Sequence, residues 1–93
     1  MQYFLEIAIA KEVLAGLTAL ELAARQATAL GFSRRIAPHR TPFNSHGRPA
    51  FTDGSRYISR DVDAHSGGAW KMFDRRGRRL GTYNEDLTVR IGD

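Results

Sequence analysis

The chain changes its periodicity once, near Gly31, and that change limits the folds open to it. Before it, residues 4–30 are rich in Ala and Leu, and Ile9, Val13, Leu17, Leu20, Ala24 and Ala27 recur at steps of three and four. Such steps line one face of an α-helix. Glu21 and Arg25 stand four apart, an ion-pair spacing on that helix. Gly31 suits a left-handed cap, and Phe32 the apolar contact that often follows one. Gly16 weakens the middle, so one long helix and two shorter ones both fit.

From residue 50 the pattern is β. Ala50-Phe51-Thr52 and Arg56-Tyr57-Ile58 flank Asp53-Gly54-Ser55, a short hairpin signal. Ala69 to Phe73 and Arg78 to Tyr83 flank a second turn at Asp74-Arg75-Arg76-Gly77, and Thr88 to Ile91 reads as a last short strand. On the strand that begins at Ala69, Trp70 and Met72 face one way, and Lys71 and Phe73 the other. Residues 33–49 read as an irregular connector, because Pro38 and Pro42 block helix and Phe43 to Pro49 is turn chemistry. Phe43 and Pro49 are its expected anchors. The order predicts an α+β domain: an N-terminal helix, or helix pair, packed on a small twisted antiparallel sheet whose other face is open. The expected division is a helical segment at 1–31 and a functional domain at 32–93.

With 93 residues there is room for one modest core, and with no cysteine neither a disulfide nor a thiolate metal site is available. The three histidines form no close pair, so no metal or other cofactor is expected. The start lacks a basic leader, Glu6 interrupts it, and five charges before residue 30 oppose a membrane span. Charge is uneven. Residues 1–32 carry a net −1 and residues 33–93 a net +5, with eleven arginines and one lysine in the latter. Arginine offers a planar fork suited to phosphate, so this excess points to a polyanion, nucleic acid above all.

The densest chemistry lies at 59–71, where Asp61, Asp63, His65, Gly67-Gly68 and Lys71 crowd together. Metal-independent RNA cleavage uses the substrate's own 2′-hydroxyl as nucleophile. It needs a base for that hydroxyl, an acid for the leaving 5′-oxygen, and cations for the charge on phosphorus. His65 suits either proton role, Asp61 or Asp63 suits holding its tautomer, and Lys71, Arg79, Thr82 and Arg90 suit the phosphate. His46 and Arg48 in the connector are candidate backbone contacts. Two other classes use the same residues. A non-enzymatic nucleic-acid-binding module would stack bases on Trp70, Tyr57 and Tyr83. A metal-dependent DNase would hold Mg²⁺ on Asp61, Asp63 and His65.

Ser59-x-Asp61-x-x-x-His65, then Arg79-x-Gly81-Thr82 and Arg90-x-x-Asp93 with a lysine between, resembles the bacterial toxin 21 family over roughly residues 32–93. The resemblance implies the C-terminal toxic domain of a large secreted effector used between bacteria. It implies the ribonuclease fold shared by barnase, EndoU and the colicins, with tRNA in the target-cell cytoplasm as the expected substrate. It also implies a cognate immunity protein, expected to be acidic. Asp61, His65, Lys71, Arg79, Thr82, Arg90 and Asp93 are then the expected functional positions, with Asp63, His46, Arg48, Trp70 and Tyr83 around the substrate.

Overall fold

Thr18 starts the helix. Its hydroxyl accepts from the Glu21 backbone N–H at 3.2 Å, an N-cap that meets one of the donors a helix start leaves open. The computed structural model describes residues 18–61 and 69–93, and in it α1 runs Ala19–Ala29. The end is the Schellman arrangement that the Gly31-Phe32 pair predicts: Phe32 N–H donates to Ala27 O at 2.8 Å and Gly31 N–H to Thr28 O at 3.0 Å. Phe32 is thereby turned back into the core, 3% exposed. The stripe is legible only in part, since Ile9, Val13 and Leu17 lie outside the described residues. Glu21 makes no ion pair with Arg25; its carboxylate lies 3.4 Å from the capping Thr18 hydroxyl instead.

Six strands follow: β1 Arg34–Ile36, β2 Ala50–Thr52, β3 Tyr57–Arg60, β4 Trp70–Phe73, β5 Arg79–Tyr83 and β6 Arg90–Gly92. They form one sheet in sequence order, each strand antiparallel to the next. Both hairpins and the last strand fall where the turn residues predict. The reading of 33–49 as wholly irregular is corrected. Arg34–Ile36 pairs along β2, and Pro38–Arg40 is a short 3₁₀ turn. Three residues with two exposed arginines carry no apolar alternation, so only the partner strand reveals β1. A short charged strand is what a sheet edge favours.

One face of the sheet is sealed by α1. Ala23 and Ala27 pack with Phe32, Phe51, Ile58, Trp70 and Met72 in one cluster. The small alanines let the helix approach the sheet closely. Arg60 ties the two layers: its guanidinium sits 4.2 Å above the Trp70 ring and bonds Gln26 of α1 as well as Glu85. The Trp70 indole N–H donates to Glu85 O at 3.0 Å, so its polar atom is satisfied although the residue is 0% exposed. Among the described residues no helix is long and apolar enough to cross a membrane.

Candidate functional site

The opposite face carries the candidate site. Strand register places Ser59, Lys71 and Thr82 directly beside one another across β3, β4 and β5. Side chains alternate along a strand, so this row points away from Trp70 and Met72, as the sequence predicts for Lys71. Lys71 Nζ lies 3.8 Å from Asp61 Oδ1, and both side chains are only 16% exposed. Asp61 is fixed from behind as well, its N–H donating to Ala69 O at 3.0 Å, which closes the base of the β3–β4 connection.

Arg79 and Thr82 meet for a reason that spacing alone does not show. Residues three apart on a regular strand face opposite sides. Here Met72 pairs with Gly81 but Phe73 pairs with Arg79, a bulge that leaves Leu80 as the extra residue. The bulge turns both side chains to the Lys71 face. Arg79 then donates to Thr82 Oγ1 at 2.7 Å and to Asp93 O at 2.6 Å, and Thr82 Oγ1 donates to the same oxygen at 3.0 Å. Arg90 holds the next layer: its Nε donates to Leu80 O at 3.1 Å and Nη2 to Asp93 Oδ1 at 3.0 Å. Gly81 permits this, because at φ +145° a Cβ would run into the Arg90 side chain and stand 2.9 Å from Gly92 O. Arg90 and Asp93 therefore act on the β5–β6 edge, with the guanidinium half-exposed beside the site.

A small cleft opens next to this row, lined by Phe43, Asn44, Ser45, His46, Ser59, Arg60, Lys71 and Phe73. Phe43 stacks on Phe73 with centroids 3.7 Å apart and planes 7° off parallel, and Tyr57 meets Phe43 edge-on at 5.7 Å. The 41–48 loop is thus laid onto the sheet, with His46 exposed at the rim. Phe43 and Phe73 are the contributors that motif reading missed. Their signals lie outside the motifs: Phe43 is an expected loop anchor, and period two puts Phe73 on the Lys71 face.

Three expected substrate contacts are placed elsewhere. Arg48 lines a mostly apolar groove beside Leu20, Leu22, Ala23 and Phe51 and is not among the residues lining the Lys71 cleft. Trp70 is fully buried under α1, and an enclosed ring has no face left to stack on a base. Tyr83 pairs with Trp70 and packs half-buried against the same core, also on the helix side. Asp63 and His65, with Gly67 and Gly68, lie outside the described residues. What the described residues bring together is Asp61, Lys71, Thr82, Arg79 and the Asp93 backbone oxygen, with His46 at the rim.

Residues 25–93 match the family described as novel toxin 21. The chain belongs to this family. Over 68 residues this novel toxin 21 domain is 53% identical to the 16S rRNA endonuclease CdiA of Enterobacter cloacae subsp. cloacae, covering 72% of the chain and 2% of that protein's length. It also superposes on the CdiA-CT toxin in the CdiA-CT/CdiI toxin and immunity complex from Enterobacter cloacae. The TM-score is 0.68 at 48% identity, over 82% of this chain and 100% of that one. The comparison corrects the expectation of tRNA as substrate, because the relative is named for 16S ribosomal RNA. Short motifs of residues suited to a phosphate carry no information about which RNA is presented to them.

Proposed function

We propose that this novel toxin 21 domain is a metal-independent endoribonuclease toxin that cuts RNA of the small ribosomal subunit. The observation that carries the reading is the grouping of Lys71, Arg79 and Thr82 on one sheet face with Asp61. Two cations and a hydroxyl at fixed height suit a phosphate whose charge grows as the 2′-oxygen attacks. Lys71 and Arg79 stabilise the phosphorane and Thr82 hydrogen-bonds a non-bridging oxygen. His65, four residues from both Asp61 and Ala69, is the general acid or base, and Asp61 or Asp63 orients it. An ammonium 3.8 Å from the Asp61 carboxylate competes with a cation for that carboxylate, which favours this reading over the metal-dependent DNase. The finer fold assignment, to the barnase–EndoU–colicin nucleases, is part of the same proposal and rests on the helix packed against an antiparallel sheet.

The likeness to a toxin–immunity complex extends the proposal to delivery as the C-terminal part of a larger effector, action in a target-cell cytoplasm, and a cognate immunity protein. The net charge of +4 makes an acidic immunity partner the complementary one. Sequencing of RNA ends tests the core of this. Cleavage is expected to persist in EDTA and to leave 2′,3′-cyclic phosphates, whereas 5′-phosphate ends would remove the mechanism. Lys71→Ala is expected to slow cleavage by about 10²–10³-fold, the usual cost of one transition-state donor. His65→Ala is expected to abolish toxicity while remaining folded; a folded, fully toxic variant would overturn its assignment.

A further inference from the structure

The 41–48 loop is held far more firmly than a connector requires. Thr41 Oγ1 lies within hydrogen-bond distance of Pro38 O at 3.0 Å and of Phe43 O at 2.7 Å. The Pro42 carbonyl rests against Gly77 of the β4–β5 turn, where any Cβ would collide with it. Phe43 is stacked on Phe73, and Ser45 is buried at 8% exposure. Pro49 O lies 3.4 Å from the Ser59 hydroxyl, so the far end is tied to the Lys71 row. Between these anchors the backbone turns through His46 at φ +55°, with the His46 N–H donating to Asn44 Oδ1 at 3.0 Å and Arg48 N–H to Ser45 O at 3.1 Å.

A non-glycine residue in the left-handed region is strained, and such strain persists where the surroundings enforce it. Here the enforced residue is an imidazole, exposed at the rim of the cleft that Ser59 and Lys71 line. Of the described histidines, His39 sits on the 3₁₀ turn and does not line that cleft. Cleavage through the 2′-hydroxyl moves two protons, one off the nucleophile and one onto the leaving group. The Asp61–His65 segment supplies carboxylates beside one imidazole, a composition that suits the base.

We infer that His46 is the second proton-transfer group, the general acid for the leaving 5′-oxygen. The inference rests on the RNA-cleavage reading above. As the 2′-oxygen bonds to phosphorus and the P–O5′ bond breaks, the His46 imidazolium proton passes to O5′. The 2′-hydroxyl proton goes to the base, and water then reprotonates His46. The Phe43–Phe73 stack is the device that holds the donor at a set height above the sheet.

The test compares His46→Asn and His46→Ala in the whole chain, on an RNA oligonucleotide and on its analogue with sulfur in place of the bridging 5′-oxygen. Asparagine tolerates the left-handed region, so His46→Asn keeps the loop while removing the acid. On ordinary RNA both variants are expected to lose about 10²–10⁴-fold in rate, the usual worth of a positioned acid. A thiolate leaves without protonation, so on the sulfur analogue the loss should shrink to within about tenfold (a general acid having little left to supply). Equal losses on the two substrates would reassign His46 to binding, and wild-type rates for His46→Asn on ordinary RNA would remove it from the reaction. Both results presuppose cyclic phosphate ends from the wild-type chain. If the wild type leaves 5′-phosphates, the cleavage reading falls and the His46 role with it.

Discussion

At the scale of single residues, the site depends on one irregularity. Arg79 and Thr82 share a face only because Leu80 is bulged out, and Gly81 lets Arg90 cross behind them. Gly81→Ala forces a Cβ into the Arg90 side chain at a φ that side chains avoid, and should destabilise the fold by about 1–3 kcal/mol. Urea denaturation reads this as a lower midpoint at unchanged slope. Arg90→Ala in the same chain should recover part of the loss by removing one of the clashing groups; strict additivity would mean that the two do not touch. The sequence shows the Arg-x-Gly-Thr motif but not why its spacing works, since a bulge is a relation between two strands. Trp70 misleads for the converse reason. An aromatic on a basic strand looks the same whether it stacks on a base or fills a core, and only the helix lying over it decides.

Among elements, the two hairpins were legible and the 33–49 segment was not. Hairpins announce themselves locally: Asp74 accepts from the backbone N–H groups of Arg76 and Arg78, both at 2.9 Å, and closes its own turn. The 41–48 loop is ordered by Phe73 and Gly77, about thirty positions away in sequence, and no local pattern reports such partners. The turn aspartates carry a pH prediction. The Asp74 carboxyl lies below its ordinary value, chiefly through the Arg78 backbone N–H and then the Arg78 side chain. Asp86 is lowered likewise, first by the Thr88 hydroxyl and then by the Thr88 N–H. A folded-state pKa below the unfolded one means that the unfolded chain binds more protons in between. The stability these groups add is therefore complete above the ordinary carboxylate range and is lost as pH falls through the folded values. Melting temperature should be flat at neutral pH and drop below about pH 4, and Asp74→Asn should lower the plateau while flattening the acid drop. An unchanged acid profile in Asp74→Asn would show that Asp74 contributes nothing there.

For the whole molecule, the two faces of the sheet do different work and neither is independent of α1. The polar row of Ser59, Lys71 and Thr82 is held in place by a sheet only one layer thick, and its other side is Phe51, Ile58, Trp70 and Met72. Those four side chains have Ala23, Ala27 and Phe32 as their cover. Without α1 the face that Trp70 occupies meets water, and a buried aromatic side chain alone is worth about 1.5–3 kcal/mol. A domain has only about 5–15 kcal/mol of net stability to lose, so uncovering four such residues exceeds what the sheet can spare. A chain beginning at Phe32 keeps every candidate site position and should nevertheless fail to fold, with no cooperative thermal transition and no protected amides in hydrogen exchange. Supplying residues 1–31 as a separate peptide should restore part of the protection in proportion to its concentration, because the helix then acts as a ligand of the folded sheet. Cooperative unfolding of the 32–93 chain by itself would show instead that the sheet stands alone and that α1 is an addition to it.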